Sequence, residues 1–202
     1  MSSDQRRASI VEAAVRLFAQ NGFRGTTTRQ LAAALGVSEP VLYQHFQTKR
    51  DLYSAILEHL SQGSSILLPD DLESLFATGD DRTFFTRLAS EILKWNVEDA
   101  SRPRILLYSA LEGHELSELF YERHIVPFNH ALAAFIERGM EQGRFRKADP
   151  LLVARSFCWT VAHYGLALTV FAHRDDEVTR NRTIALIVDT FLNGVRNPEE
   201  SQ

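Results

Sequence analysis

Between Thr28 and Lys49 the chain gathers hydroxyl, phenol, imidazole and cationic side chains: Thr28, Arg29, Tyr43, His45, Thr48 and Lys49. All are hydrogen-bond donors of the kind that engage phosphate oxygens. Ser38, Glu39, Val41 and Gln44 fall among them. Other chemistries find no comparable set. The chain lacks a glycine-rich phosphate loop and a Gly-x-Ser-x-Gly elbow. His114-Glu115 is not followed by a second histidine at zinc-protease spacing, and His114, His124 and His130 are poorly spaced as metal ligands. Cys158 is the single cysteine, so no intramolecular disulfide or cysteine-rich zinc site forms. These observations predict no cofactor, no metal and no catalytic site.

The elements that position the donors are helices. Ile10, Val11, Ala14, Leu17 and Phe18 mark an amphipathic helix over about 4–20, stopped by Asn21-Gly22, with Gly22 expected in the left-handed conformation. That pattern reads as a helix and not as a signal peptide. Thr27-Thr28-Arg29-Gln30 predicts a capping box, and Leu31, Ala32 and Leu35 a buried face. Gly36 ends this short helix. Ser38 is expected to cap the next one, with Glu39 complementing its dipole and Pro40 tolerated in its first turn. Thr48 with Asp51 predicts another capping box, for a helix reaching about Gln62. A turn as tight as Gly36-Val37-Ser38 makes its two flanking helices cross steeply, which is the helix-turn-helix arrangement. Leu31, Leu35, Val37, Leu42 and Phe46 are expected to share a small core, leaving Ser38, Glu39, Val41, Tyr43, Gln44 and His45 on or near the outer side.

Charge is distributed to match. The chain nets −4, yet residues 1–50 carry seven basic and three acidic side chains, and residues 51–202 net −8. Such asymmetry suits a protein that presents one end to a polyanion.

As a linked pattern, residues 10–57 resemble the TetR family of regulators. The resemblance rests on Leu17-Phe18-Ala19, Gly22-Phe23, Thr26-Thr27-Thr28-Arg29, Leu31-Ala32, Ala34, Gly36-Val37-Ser38, Leu42-Tyr43, His45-Phe46, Lys49 and Leu52. It departs at Pro40, where glycine is frequent, and at Gln30, where an acidic residue is common. The resemblance implies a homodimer with one DNA-binding head per subunit, released from DNA by a small molecule. It implies backbone contacts from Thr28, Tyr43, His45 and Lys49, and base reading around Ser38, Glu39, Val41 and Gln44. A two-fold dimer sets its recognition helices one DNA turn apart, roughly 34–36 Å, on a near-palindromic operator.

The expected fold is all-α: a helix-turn-helix head over 1–47, a connecting helix over 48–64, and a helical body over 65–202 for dimerisation and ligand binding. Body helices are predicted at about 81–100, 102–113, 115–142, 149–173 and 176–196, with a kink at Pro127. Residues 156–173 hold 18 positions without a formally charged side chain, which touches the length of a membrane span. Ser156, Thr160, His163, Tyr164 and Thr169 interrupt it, so a core helix buried on several sides is expected, in a cytoplasmic protein without a membrane partner. By the resemblance, this helix and the last one build the dimer interface. Trp95, Tyr108, Phe120, His124, Phe128, Trp159 and His163 are candidate pocket residues for a small, largely apolar or aromatic effector. Two other classes compete: a helical small-molecule binder that has lost DNA binding, and a helical enzyme using His163 or Glu112 as base. Both leave the Thr27–Lys49 pattern without a use.

Overall fold

The computed structural model describes residues 2–61, 74, 78–171 and 173–196. The described residues are helical, as expected, with one isolated antiparallel bridge between Phe145 and Arg196 and no strand. They fall into two compact units, residues 1–63 with 99–121, and residues 64–98 with 122–202.

In the first unit, α1 (Ser3–Asn21) starts with a capping box in which Ser2 and Gln5 satisfy each other's backbone N–H groups. Ile10, Val11, Ala14, Val15 and Phe18 form its buried stripe. Gly22 ends it at φ +71 and ψ 179. That is not the expected left-handed helical conformation but an extended positive-φ region open in practice to glycine. α2 (Thr28–Ala34) carries the predicted Thr27–Gln30 box. Its end is a Schellman turn: Val37 N–H reaches Ala32 O at 3.0 Å and Gly36 N–H reaches Ala33 O at 3.1 Å. Gly36 sits at φ +65, which this turn requires. α3 (Glu39–His45) follows after four residues, Leu35 to Ser38. Ser38 occupies the N-cap position, but its side chain makes no capping hydrogen bond. α4 (Lys49–Ser61) begins with the predicted box, Thr48 N–H to Asp51 at 2.9 Å and Asp51 N–H to Thr48 at 3.1 Å.

α1 is the spine of this unit. It packs on α2, α3 and α4, and also on α6 (Ser101–Glu112). A short α7 (Glu115–Phe120) packs on α6 and α4. Residues 99–121 therefore fold with the helix-turn-helix, although their periodicity alone groups them with the body. Leu31, Leu42, Phe46, Leu52, Ile56 and Leu60 are buried, each worth about 1.5–3 kcal/mol for the larger side chains. Leu35 and Val37 are only half-buried, because the crossing of two seven-residue helices leaves the turn itself near the surface.

The second unit is built from α5 (Asp81–Glu98), α8 (Val126–Glu141), α9 (Pro150–Thr169) and α10 (Glu177–Val195). α9 lies against α5, α8 and α10. The centre is aromatic: Phe85 meets Phe157 at 5.0 Å and Phe191 at 4.9 Å, and Phe157 meets Phe191 at 4.8 Å. Asp81 pairs with Arg144, and Arg82 with Asp189. The predicted 115–142 helix is not continuous. A π-helical turn, Tyr121–Ile125, widens the coil just before Pro127, which has no N–H to donate and whose ring needs room on the preceding turn.

α9 is long and apolar enough, by length and composition, to cross a membrane. Its inner face (Ala154, Phe157, Cys158, Val161, Gly165) is nevertheless core of this unit. The expectation of burial on several sides fails within one chain. Leu152 and Trp159 stand 58% and 56% exposed on its outer face. Leu186 on α10 is 66% exposed.

Candidate nucleic-acid interface

The helix-turn-helix surface is assembled from local signals and then locked by distant ones. The capping boxes at Thr27 and Thr48 fix where α2 and α4 begin, and the Schellman turn fixes how α3 leaves α2. Leu42 and Phe46 anchor α3 inward. Tyr43, Gln44 and Ser38 are consequently exposed, and Val41, His45 and Glu39 half-buried. Thr28, Tyr43 and Thr48 line one small open crease floored by Leu31, Leu42, Phe46 and Leu52. Three of the predicted phosphate-facing side chains are thus neighbours, although they lie on α2, α3 and the start of α4. Arg29 is exposed beside them. The side chain of Lys49 lies outside the described residues.

Two contacts position α3 that its own sequence does not announce. The Thr28 hydroxyl donates to Glu39 Oε2 at 2.8 Å, tying the first residue of α2 to the first residue of α3. At the other end, the Arg7 guanidinium donates to the His45 carbonyl at 2.9 Å and lies 4.4 Å from the Phe46 ring centroid. A cation at a helix C-terminus complements both its free carbonyls and its dipole. Arg7 reads equally well in the sequence as a solvated tail or a phosphate ligand. Only its helical phase on α1, facing α3, distinguishes the actual role.

A third clasp holds the loop between α1 and α2. Glu112 Oε2 accepts from the backbone N–H of Phe23 at 2.8 Å and of Arg24 at 2.9 Å. Arg24 donates back to the Glu112 carbonyl at 3.2 Å. His114 stacks on Phe23, centroids 3.9 Å apart, and meets Tyr53 edge-on at 4.4 Å. His114 Nδ1 accepts from Leu116 N–H at 3.2 Å and caps α7. Burial, helped by the Glu115 carboxylate, raises the Tyr53 hydroxyl above its ordinary pKa, so the ring stays neutral in this cluster. Glu112, weighed above as a possible catalytic base, spends its carboxylate on two backbone donors.

The predicted pocket residues are divided between the two units. Tyr108 and Phe120 belong to the first unit, Phe120 buried and Tyr108 half-buried. Trp95, His124 and Phe128 belong to the second, Phe128 buried and the other two half-buried. Burial holds the His124 imidazole below its ordinary pKa, and Arg123 adds to that. Trp159 and His163 project from the outer face of α9. Among the described residues, no three His, Cys, Asp or Glu side chains are placed to share a metal ion.

Comparison with known proteins matches both parts of the chain. The family profile described as bacterial regulatory proteins, tetR family, matches residues 10–56. A profile described as AefR-like transcriptional repressor, C-terminal domain, matches residues 98–194. The transcriptional activator FasR of Mycolicibacterium smegmatis is 42% identical over 55 residues, 27% of this chain and 25% of FasR. The transcriptional repressor KstR2 of Rhodococcus jostii is 29% identical over 154 residues, 70% of this chain and 68% of KstR2. The chain thus spans about a quarter of the first curated relative it matches. A TetR family regulator from Pseudomonas syringae pv. tomato has the same fold, with a TM-score of 0.68 at 20% identity over 98% of this chain and 100% of that one. The helix-turn-helix at one end and the repressor-type C-terminal domain at the other make this chain a member of the TetR family of bacterial transcriptional regulators.

Proposed function

We propose that the protein is a homodimeric repressor that binds a near-palindromic DNA operator through α3 and leaves it when a small, largely apolar or aromatic effector binds. The observation that carries this is the recognition helix itself. α3 is capped by Arg7, tethered by Thr28 and anchored by Leu42 and Phe46, while Tyr43 and Gln44 are left exposed. A helix held this firmly with polar side chains outward suits the major groove, and the local excess of basic residues supplies the phosphate term. Arg29, Tyr43, His45, Thr48 and Lys49 serve the backbone, and Ser38, Glu39, Val41 and Gln44 the bases. Repression in place of activation is favoured by the AefR-like C-terminal match and by KstR2.

The uncovered apolar side chains of α9 and α10 favour a dimer built from these two helices. Trp159 and His163 then serve the subunit interface better than a pocket. Trp95, His124 and Phe128 are the stronger effector candidates, mostly apolar with one polar handle. A DNA operator as partner favours a cytoplasmic location.

Selection from a random duplex library, followed by gel shift across a salt series, tests the reading. A near-palindrome is expected, bound with a steep salt dependence that the Tyr43→Ala/Lys49→Ala double variant flattens. Weak binding to all sequences, unchanged in that variant, overturns it.

A further inference from the structure

We propose that Glu39 is the residue that selects a cytosine in each operator half-site, and that Thr28 is the positioning residue that aims it. The inference rests on the DNA-binding reading above. Its basis is the 2.8 Å hydrogen bond from the Thr28 hydroxyl to Glu39 Oε2.

A carboxylate on a DNA-facing helix is unusual chemistry. An ionised carboxylate only accepts hydrogen bonds. It therefore gains nothing from phosphates, and is repelled by them. In the major groove its partners are restricted to amino groups, cytosine N4 and adenine N6. The two are not equivalent. Adenine N6 is flanked by acceptors on both sides, its own N7 and the O4 of the paired thymine. Cytosine N4 has an acceptor on one side only, the guanine O6, and the C5–H edge on the other. A carboxylate approaching from that edge meets the donor without facing a second acceptor. Guanine and thymine edges offer it no donor of their own.

The tether decides whether such a side chain discriminates. A free glutamate swings away from a mismatched base at little cost. Here one carboxylate oxygen is held by a side chain from another helix, and Glu39 is half-buried at the junction of α2 and α3. The rotamer is selected before DNA arrives, so less ordering is left to do on binding. Oε1 is left for the base. The same bond gives Thr28 a role different from the phosphate contact that its position in the sequence suggests.

The test is library selection with four proteins: wild type, Glu39→Gln, Thr28→Val and Thr28→Ser, each shown by its thermal melt to be folded. Wild type enriches one half-site position for cytosine, by at least about tenfold over the other bases. Glu39→Gln moves that same position from cytosine to adenine, because an amide pairs with N6 and N7 together, and leaves the other positions as they were. Thr28→Val narrows the cytosine preference severalfold more than it weakens binding to random DNA, and Thr28→Ser restores it. A merely structural Thr28 lowers affinity for all four bases alike, which overturns its part. An operator whose base preferences are the same in wild type and Glu39→Gln overturns the inference while leaving the regulator reading intact. A wild-type protein that enriches no sequence overturns both.

Discussion

Arg7 and His45 stand 38 positions apart, and the Arg7 guanidinium donates to the His45 backbone carbonyl at 2.9 Å. α1 thereby closes the C-terminal end of α3. A helix of seven residues has few internal hydrogen bonds, so its ends carry a large share of its stability. Arg7→Ala is expected to cost about 1 kcal/mol in urea unfolding, since the bond is charge-assisted but exposed. The larger effect is on DNA: operator affinity falls more than non-specific affinity, because the orientation of α3 is what loosens. Equal losses on both, measured by gel shift, count against the capping role.

The Glu112 clasp leads to a second expectation. A Cβ built on Gly22 falls 2.2 Å from Glu112 Oε1, in a backbone conformation that side chains rarely adopt. Gly22→Ala is therefore expected to destabilise the protein by roughly 2–4 kcal/mol. Glu112→Ala leaves the N–H groups of Phe23 and Arg24 without their acceptor, and Glu112→Gln retains one acceptor oxygen. The melting temperature should order as wild type, then Glu112→Gln, then Glu112→Ala. A Glu112→Ala protein as stable as wild type excludes the clasp.

Acid should weaken the second unit through its helix caps. Thr179 donates to Asp176 at 2.7 Å and Thr83 to Asp80 at 3.0 Å. These hydrogen bonds hold both carboxyls below the ordinary value of 3.8. A carboxyl lowered in the folded state stabilises above its unfolded value, and that contribution is lost as pH falls through the folded one. Asp176→Asn keeps an acceptor for Thr179 but no charge. It should melt below wild type at neutral pH, with the difference closing as pH falls below the ordinary carboxyl value and through the lowered folded one. A difference independent of pH shows that the charge does not matter there.

Cys158 offers a probe of the same unit. It is buried on α9, and burial pushes its thiol up to about 12. The thiolate is the reactive form, so alkylation of the native protein should be slow and should accelerate by orders of magnitude in denaturant. Rapid labelling under native conditions indicates an α9 face open to solvent.

The helix-turn-helix was legible because its signals are local. Thr27–Gln30 and Thr48–Asp51 capping boxes act over three residues, and the Gly36 turn over five. Such short-range chemistry appears in the chain as residue type and spacing, and the structure places these features where the spacing predicts. The same locality misled at Ser38, a good cap by type whose hydroxyl makes no cap bond, and at Gly22, where positive φ was legible but its companion ψ was not. The division of the body was hidden because residues 99–121 look like any amphipathic stretch.

What the sequence determined by itself was the all-helical class, the capping boxes that start α2 and α4, and which side chains of α3 face outward, since helical periodicity assigns faces without knowing the partner. Tertiary structure alone decided who holds whom. Thr28 to Glu39 spans 11 positions, Arg7 to His45 spans 38, and Glu112 to Phe23 spans 89. A hydrogen bond is indifferent to separation along the chain once folding brings donor and acceptor within 3 Å or so. No pattern in the linear order marks which of many polar residues will meet, so the partners of Thr28, Arg7 and Glu112 become visible only when the helices cross.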